Sequence, residues 1–267
     1  MRVQRIESDA NAKYKRWKKL FDNARMIKKE GATLAEGAHL AQVCLERKVK
    51  ASAMIIRDSE SFTDETLALI EAFDRERVPA YLLDTRLYDA ISPVEHGSGL
   101  MLEVPIKAPA MPQKLQADVL YLDGVQDPGN IGTLIRSAVA AGIKHIAASP
   151  TSAHFWSPKA LRAGMGAHFA AHLYDNVEPE ALGELFDAQC LAADARGGKD
   201  LFATPVWEAT PVVWMMGAEG PGLSDRALKV ADQRFYIPIE KDCESLNVAA
   251  AAAVCMFELR RRRLLQK

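Results

Sequence analysis

Gly217-Ala-Glu-Gly-Pro-Gly-Leu-Ser224 and Ile237-Pro-Ile-Glu-Lys-Asp-Cys-Glu-Ser-Leu-Asn-Val-Ala249 stand close together near the end of this chain. A third segment of the same character, Asp127-Pro-Gly-Asn-Ile-Gly-Thr-Leu-Ile-Arg136, lies upstream of them. Each adjoins an apolar strand-like run and leads into a helix-like one, mixing flexible backbone with a few hydrogen-bonding side chains. Three such turns in one region imply a ligand pocket built mainly from backbone amides. In a parallel sheet that pocket lies beyond the carboxyl ends of the strands, where glycine lets the backbone approach a ligand closely.

Working outward from these turns, strands and helices alternate. Strands are expected at Asp118–Leu122, 144–148, 169–173, 189–193, 211–216 and 235–239. Helices are expected at 131–141, 158–164, 177–186 and 223–230, with a long alanine-rich one over 245–265. This alternation predicts a parallel sheet covered on both faces. Residues 106–115 hold prolines and no periodicity, and read as a linker between a domain at 1–105 and another at 116–267. The first domain also alternates. Helices are expected at 10–29, 39–47, 64–74 and 84–91, and strands at 32–35, 51–56, 80–83 and 99–104, which predicts a small α/β domain.

Composition narrows the function. No run of about 18 apolar residues exists, so no membrane span is expected, and the charged N-terminus lacks the apolar core of a secretion signal. Cys44, Cys190, Cys243 and Cys255 are scattered without a CxxC pair, which suits a reducing cytoplasm and gives no zinc site. His168 and His172 have ligand spacing for a helix, but their segment reads as strand and no third ligand is evident, so no metal is expected. The net charge is −1, yet basic residues crowd residues 1–30, Lys13, Lys28 and Lys29 among them. Such a segment is either a polyanion contact or a solvated helix face. The run Arg260–Arg263 reads as a helix end favoured by the helix dipole, with nucleic-acid contact as the alternative.

The pocket suits a neutral aromatic base in a hydrophobic slot. A pyrophosphate fits less well, because the GxGxxG spacing with its downstream acid is missing, as is a P-loop, which disfavours NAD and ATP.

Asn130-Ile-Gly-Thr-Leu-Ile-Arg136, Gly217–Ser224 and Ile237-Pro238 with Ser245-Leu-Asn-Val248 resemble motifs 1, 2 and 3 of the SpoU (TrmH-type) RNA 2′-O-ribose methyltransferases of the SPOUT superfamily. The resemblance spans roughly residues 116–262 and includes Ser157-Pro-Lys-Ala-Leu-Arg-Ala-Gly-Met-Gly166. It departs from the usual pattern at Gly164 and Ala250. More loosely, Glu36-Gly37 and their surroundings resemble the family's N-terminal substrate-binding domain, related to a small ribosomal-protein fold. The resemblance implies an α/β domain with a trefoil knot, S-adenosylmethionine as cofactor, and a homodimer whose site is completed at the subunit interface. By motif position it implies Gly217, Ile237 and Leu246 as cofactor contacts, and Arg136, Asn130, Glu219, Ser245 and Asn247 as the polar catalytic shell. Structured RNA is the implied substrate, ribosomal RNA ahead of transfer RNA, with Lys13, Lys28, Lys29, Lys159 and Arg162 as RNA contacts.

The chemistry sets its own demands. A ribose 2′-hydroxyl is a poor nucleophile, so something must take its proton or stabilise the emerging alkoxide. Arg136 is the candidate. As a base it would need a strongly perturbed pKa, whereas stabilising the oxyanion would not. Ser245 and Asn247 are also good N-cap types for the alanine-rich helix.

Overall fold

Two β-sheets, each with its own helices, organise residues 3–58, 61–95, 97–208 and 210–265, the part of the chain that the computed structural model describes. The sheets belong to separate units. One comprises the chain up to Lys107 together with Trp156–Phe169, and the other Ala108–Phe155 with the chain from Ala170 onward.

The first unit holds β1 (Val3–Ile6), α1 (Ala12–Asp22), α2 (Ala24–Glu30), β2 (Ala32–Glu36), α3 (Ala38–Glu46), β3 (Ala53–Arg57), α4 (Asp64–Arg75), β4 (Ala80–Leu83), α5 (Thr85–Asp89) and β5 (Leu100–Pro105). Its strand order is β1-β4-β3-β5-β2. The β1–β4 and β4–β3 pairs are parallel, and β5 runs antiparallel to both β3 and β2. Strand β1 escapes the hydrophobic pattern because only Ile6 of its four residues is buried.

The single helix expected over 10–29 is two. Asn23 takes an extended backbone (φ −139°, ψ 107°), donates its N–H to Lys19 at the end of α1, and accepts the Arg25 N–H at the start of α2. An Asn side chain that competes for local backbone groups breaks a helix in this way. Behind α1, the buried Glu103 accepts hydrogen bonds from Arg16 Nη1 and Trp17 Nε1, both at 2.7 Å, and from Ser52 Oγ at 2.8 Å. Burial works to raise this carboxyl, but the bonds from Arg16, Trp17 and Ser52 outweigh it and hold the group below its ordinary pKa.

The second unit holds β6 (Val119–Asp123), α6 (Pro128–Ala141), β7 (His145–Ala148), β8 (His172–Tyr174), β9 (Gln189–Ala193), β10 (Lys199–Asp200), β11 (Val212–Gly217), α9 (Asp225–Val230), β12 (Gln233–Tyr236) and α10 (Val248–Leu265), with α8 (Leu182–Leu185) before β9. Its order is β10-β12-β9-β11-β6-β7-β8, parallel at every pair. The two central strands are buried on both faces. Val119, Tyr121, Val213 and Met215 join one core with Phe186 and Ala227. Leu120, Leu122, Trp214 and Met216 alternate with them and are equally buried, as strand geometry requires.

Several boundaries move. Residues 167–170 form a 3-10 turn rather than strand, and the strand begins at His172. The helix expected over 177–186 shrinks to a 3-10 turn at Pro179–Ala181 and the short α8, which carries the poor helix former Gly183. Strand β12 stops at Tyr236, two residues before Pro238, which has no N–H for a ladder. The linker is shorter than 106–115. Ile106 N–H still bonds Gly31 O at 2.9 Å, and Leu115 N–H bonds Leu185 O at 2.9 Å. The segment with α7 (Pro158–Ala163), assigned by sequence to the second domain, groups with the first unit, where Thr33 Oγ1 donates to Trp156 O at 2.6 Å.

The C-terminal arginines are largely structural. Arg262 donates to the carbonyls of Thr204, Leu201 and Phe202 at 2.9–3.0 Å, pairs with Glu258, and stacks over Trp207. Arg263 bonds Glu208 O, Thr210 O and the Asp118 carboxylate. These bonds fasten α10 to the backbone of Leu201, Phe202, Thr204, Glu208 and Thr210 and to Asp118, just before β6.

Candidate active site at the carboxyl ends of the central strands

The three glycine-, serine- and asparagine-rich turns converge at one end of the second sheet. The first follows β6: Pro128 occupies the first turn of α6, where its missing N–H costs nothing, and Asp127 Oδ2 caps the Asn130 N–H at 3.1 Å. The second follows β11 and closes on itself, with Ala218 N–H on Gly222 O at 3.0 Å and Gly222 N–H on Ala218 O at 2.9 Å. Asp123, at the end of β6, accepts the Ser224 N–H at 2.7 Å and so ties the second turn to the first. Glu219 and Gly220 make no backbone hydrogen bond among the described residues, which leaves their N–H groups available to a ligand.

The glycine at 217 does a different job from the one its sequence suggests. A Cβ there would lie 2.1 Å from both Gly222 C and Leu223 N. The missing side chain makes room for the turn's own return leg, and only through that for a ligand.

The third turn ends at Asn247, which caps α10 by accepting the Ala249 N–H at 2.9 Å and the Ala250 N–H at 3.4 Å through Oδ1. The helix therefore begins at Val248, and Ser245 lies outside it, exposed in the turn. Capping fixes the orientation of the Asn247 amide, because the oxygen must face the helix and Nδ2 must face away. That Nδ2 lies 3.2 Å from both Asn130 Oδ1 and Glu219 Oε1. Asn130 Nδ2 in turn donates to Glu219 Oε1. One side chain from each motif thus enters a closed triangle of hydrogen bonds, with Glu219 as the common acceptor.

Beside the triangle opens a cleft of about 450 Å³, walled by Ala193–Ala195, Met216–Gly220, Gly222, Phe235, Ile237, Ile239, Ser245–Val248 and Ala251. The volume lies within the range of small-molecule sites, about 300–1,000 Å³. Ile239 and Leu246 are each 38% exposed, apolar surface that a hydrophobic ligand would cover. The cleft gathers Gly217, Ile237 and Leu246, and also Glu219, Ser245 and Asn247. Asn130 reaches its edge through the triangle.

Arg136 does not line the cleft. It sits on the exposed stripe of α6 with Thr133 and Ala140, and its side chain makes no hydrogen bond or ion pair among the described residues. In the first unit Lys13, Lys28 and Lys29 are exposed, Lys13 with its ammonium 4.9 Å from the Tyr81 ring centre. Lys159 is exposed on α7. Arg162 is half-buried, and its guanidinium already pairs with the buried Glu36 carboxylate.

Sequence reasoning missed Asp123 and a charged cluster after β9. Asp194 Oδ1 accepts Arg196 Nε at 3.0 Å and the Arg196 N–H at 3.1 Å, while Oδ2 accepts Arg234 Nη2. An acid directly after a strand, followed by Gly197-Gly198, was the available signal.

Known proteins resemble this chain over nearly its whole length. A relative from Bacillus subtilis (strain 168), 23S rRNA (guanosine(2553)-2′-O)-methyltransferase RlmP, is 29% identical over 262 residues, covering 97% of this chain and all of the relative. The AdoMet-bound rRNA methyltransferase from Sinorhizobium meliloti superposes with a TM-score of 0.81 at 22% identity, over 97% of this chain and 98% of that one. The SpoU methyltransferase AviRb from Streptomyces viridochromogenes, in complex with AdoMet, gives 0.80 at 22% identity, over 95% and 98%. At such identities the two structures speak for the fold. The model of the SpoU rRNA Methylase family matches residues 118–257, which hold all three motifs and the cleft they build. The chain belongs to the SpoU rRNA Methylase family.

Proposed function

We propose that this protein transfers a methyl group from S-adenosylmethionine to a ribose 2′-hydroxyl of ribosomal RNA. The observation that carries this reading is the Asn130–Glu219–Asn247 triangle at the edge of a half-apolar cleft. The exposed Ile239 and Leu246, with Ile237, offer an apolar slot to an adenine, and the free N–H groups of Glu219 and Gly220 offer donors to its polar edges. When bound, the cofactor supplies a methyl group on a cationic sulfur. The chain's part is to hold the acceptor hydroxyl and stabilise the oxyanion as its proton passes to solvent. Glu219, fed by two amide donors, keeps Asn130 and Asn247 oriented toward the reacting ribose. Arg136, whose charge has no partner among the described residues, stabilises the emerging alkoxide. Its place outside the cleft requires that the ribose bridge the two.

Further parts of the reading rest on the same fold. Helix α10 is apolar on both sides: Ala252, Cys255, Met256 and Leu259 are buried, while Phe257, Leu264 and Leu265 are exposed. The exposed Phe257, Leu264 and Leu265 are apolar surface that a second copy would cover, so the active form is a homodimer with α10 in its interface. The chain passes β12 near one side of the sheet and packs α10 against α6, a path that supports the trefoil knot implied by the resemblance. The first unit, a ribosomal-protein-like module, binds the RNA through Lys13, Lys28 and Lys29, with Lys159 in the same unit. Arg162 holds Glu36 instead. No described helix is long and apolar enough to cross a membrane, and the four unpaired cysteines suit work in the reducing cytoplasm.

The test is direct. Calorimetry should show S-adenosylmethionine binding with no response to NAD. Mapping of 2′-O-methyl marks in RNA from cells with and without the protein should find one or more ribosomal positions lost. An unchanged methylation map would refute the assignment.

A further inference from the structure

Between the second and third motifs lies a charged assembly that the methyl-transfer chemistry does not use. Asp194, directly after β9, has a side chain 3% exposed, and its two carboxylate oxygens are divided between two arginines. Oδ1 takes the backbone and side chain of Arg196, and Oδ2 takes Arg234 Nη2. Arg196 continues outward: its Nη2 donates to Leu223 O at 3.2 Å, on the return leg of the second turn. Arg234 lies on β12, the strand that delivers the third turn. One buried carboxylate therefore connects both walls of the cleft, and Asp194 itself lines it.

We propose that Asp194 and Arg196 are positioning residues that set the width of the cofactor cleft by bracing the Gly222–Leu223 leg against β9 and β12. The inference rests on the S-adenosylmethionine reading of the cleft. The physical reason is that the second turn has few other supports on this side. Its internal pair of bonds shapes it, Asp123 holds its end at Ser224, and Arg196 holds the carbonyl between them. Burial works to raise the Asp194 carboxyl, but the bonds from Arg196 and Arg234 outweigh it and keep the group below its ordinary pKa, so the brace stays charged near neutral pH. Lysine cannot replace Arg196, because a single ammonium lacks the planar fork that reaches a carboxylate and a carbonyl together.

The experiment uses the full chain and three variants: Arg196→Lys, Asp194→Asn and, as a control outside the cleft, Arg226→Ala, whose partners are Glu178 and Glu180. S-adenosylmethionine affinity is measured by calorimetry. Methyl transfer is measured on ribosomal RNA from cells lacking the protein. Hydrogen exchange is followed in the peptide covering 217–224. Losing charge-assisted bonds of this kind should weaken affinity about tenfold or more in the first two variants. Turnover at saturating cofactor should stay within about threefold, the KM for RNA should not move, and exchange in 217–224 should quicken. The control should match the wild type. Unchanged affinity in both Arg196→Lys and Asp194→Asn would overturn the brace while leaving the cofactor reading intact. So would turnover falling in step with affinity and melting temperature, which would make the cluster a general fold support. If the wild type itself bound no S-adenosylmethionine, the cofactor reading would fall and the brace with it.

Discussion

Gly217→Ala is the sharpest test of how the cleft is built. The added methyl carbon would sit 2.1 Å from Gly222 C and Leu223 N and 2.4 Å from Gly222 O. Carbon contacts are comfortable from about 3.5 Å, so the return leg would have to retreat by about 1.4 Å. That leg is held by the reciprocal Ala218–Gly222 bonds at 3.0 and 2.9 Å, by Arg196 on Leu223 O, and by Asp123 on Ser224 N–H. A retreat of this size stretches at least two of these beyond bonding range, at about 0.5–1.5 kcal/mol each. Adding residual steric strain gives a cost of about 2–4 kcal/mol. If the closed turn is the form that binds, this falls on the cofactor, and affinity should drop by about 30- to 700-fold at about 1.4 kcal/mol per decade. Global stability should change little, because the turn can open without disturbing β11. Gly220→Ala is the matched control: it has φ +85° but nothing within 4 Å of the new carbon. It should pay only the backbone penalty, about 1 kcal/mol. Calorimetry with S-adenosylmethionine reads both. If Gly217→Ala bound within threefold of the wild type, or better than Gly220→Ala, the turn would not be closed as described.

Other perturbations probe separate parts of the molecule. Arg136→Ala should lose about 100-fold or more in methyl-transfer rate, the scale of removing a transition-state donor, with cofactor affinity nearly unchanged; parallel loss of both would make Arg136 a support. Replacing Lys28 and Lys29 together by Glu should weaken RNA binding and flatten its salt dependence by about one power of salt per lost phosphate contact, and an unaltered slope would move the RNA surface elsewhere. Among the C-terminal arginines, Arg262→Ala and Arg263→Ala should each lower the melting temperature by several degrees, while Arg261→Ala, 57% exposed on Glu258 alone, should barely matter. Because the folded Glu103 carboxyl lies below its ordinary pKa, its contribution is present above about pH 4 and fades as pH falls through the folded value. Wild-type stability should therefore drop more steeply than that of Glu103→Gln between about pH 5 and 3, and identical acid profiles would exclude this linkage.

The cleft was readable in the sequence because its parts are governed by local physics. Glycine, proline and asparagine impose turns and caps within a few residues, so the three motifs announce both a strand end and a helix start. The parallel sheet was readable for a similar reason, since β11 and β6 up to Leu122 are apolar runs. Where tertiary context decides, the reading slipped. Asn23 splits a pattern that looks continuous in hydrophobicity, β1 carries only one buried residue, and Ser245 and Asn247 are equally good caps until the fold selects one.

Charged residues were the least legible, and the reason is distance along the chain. Arg263 finds Asp118 across 145 positions and Arg162 finds Glu36 across 126. No window of sequence distinguishes such arginines from Arg136, whose side chain finds no partner among the described residues. A run of arginines therefore says that positive charge is present, but not whether it is committed. Commitment is what separates a fold support from a group free to meet RNA or an alkoxide, because a guanidinium already sharing its donors with a buried carboxylate would leave that charge unpaired if it turned to a ligand. By that criterion Arg262, Arg263 and Arg162 are spoken for, and Arg136, Lys28 and Lys29 are where RNA-dependent effects should concentrate. A variant of Arg162 that altered RNA affinity without lowering stability would break the criterion.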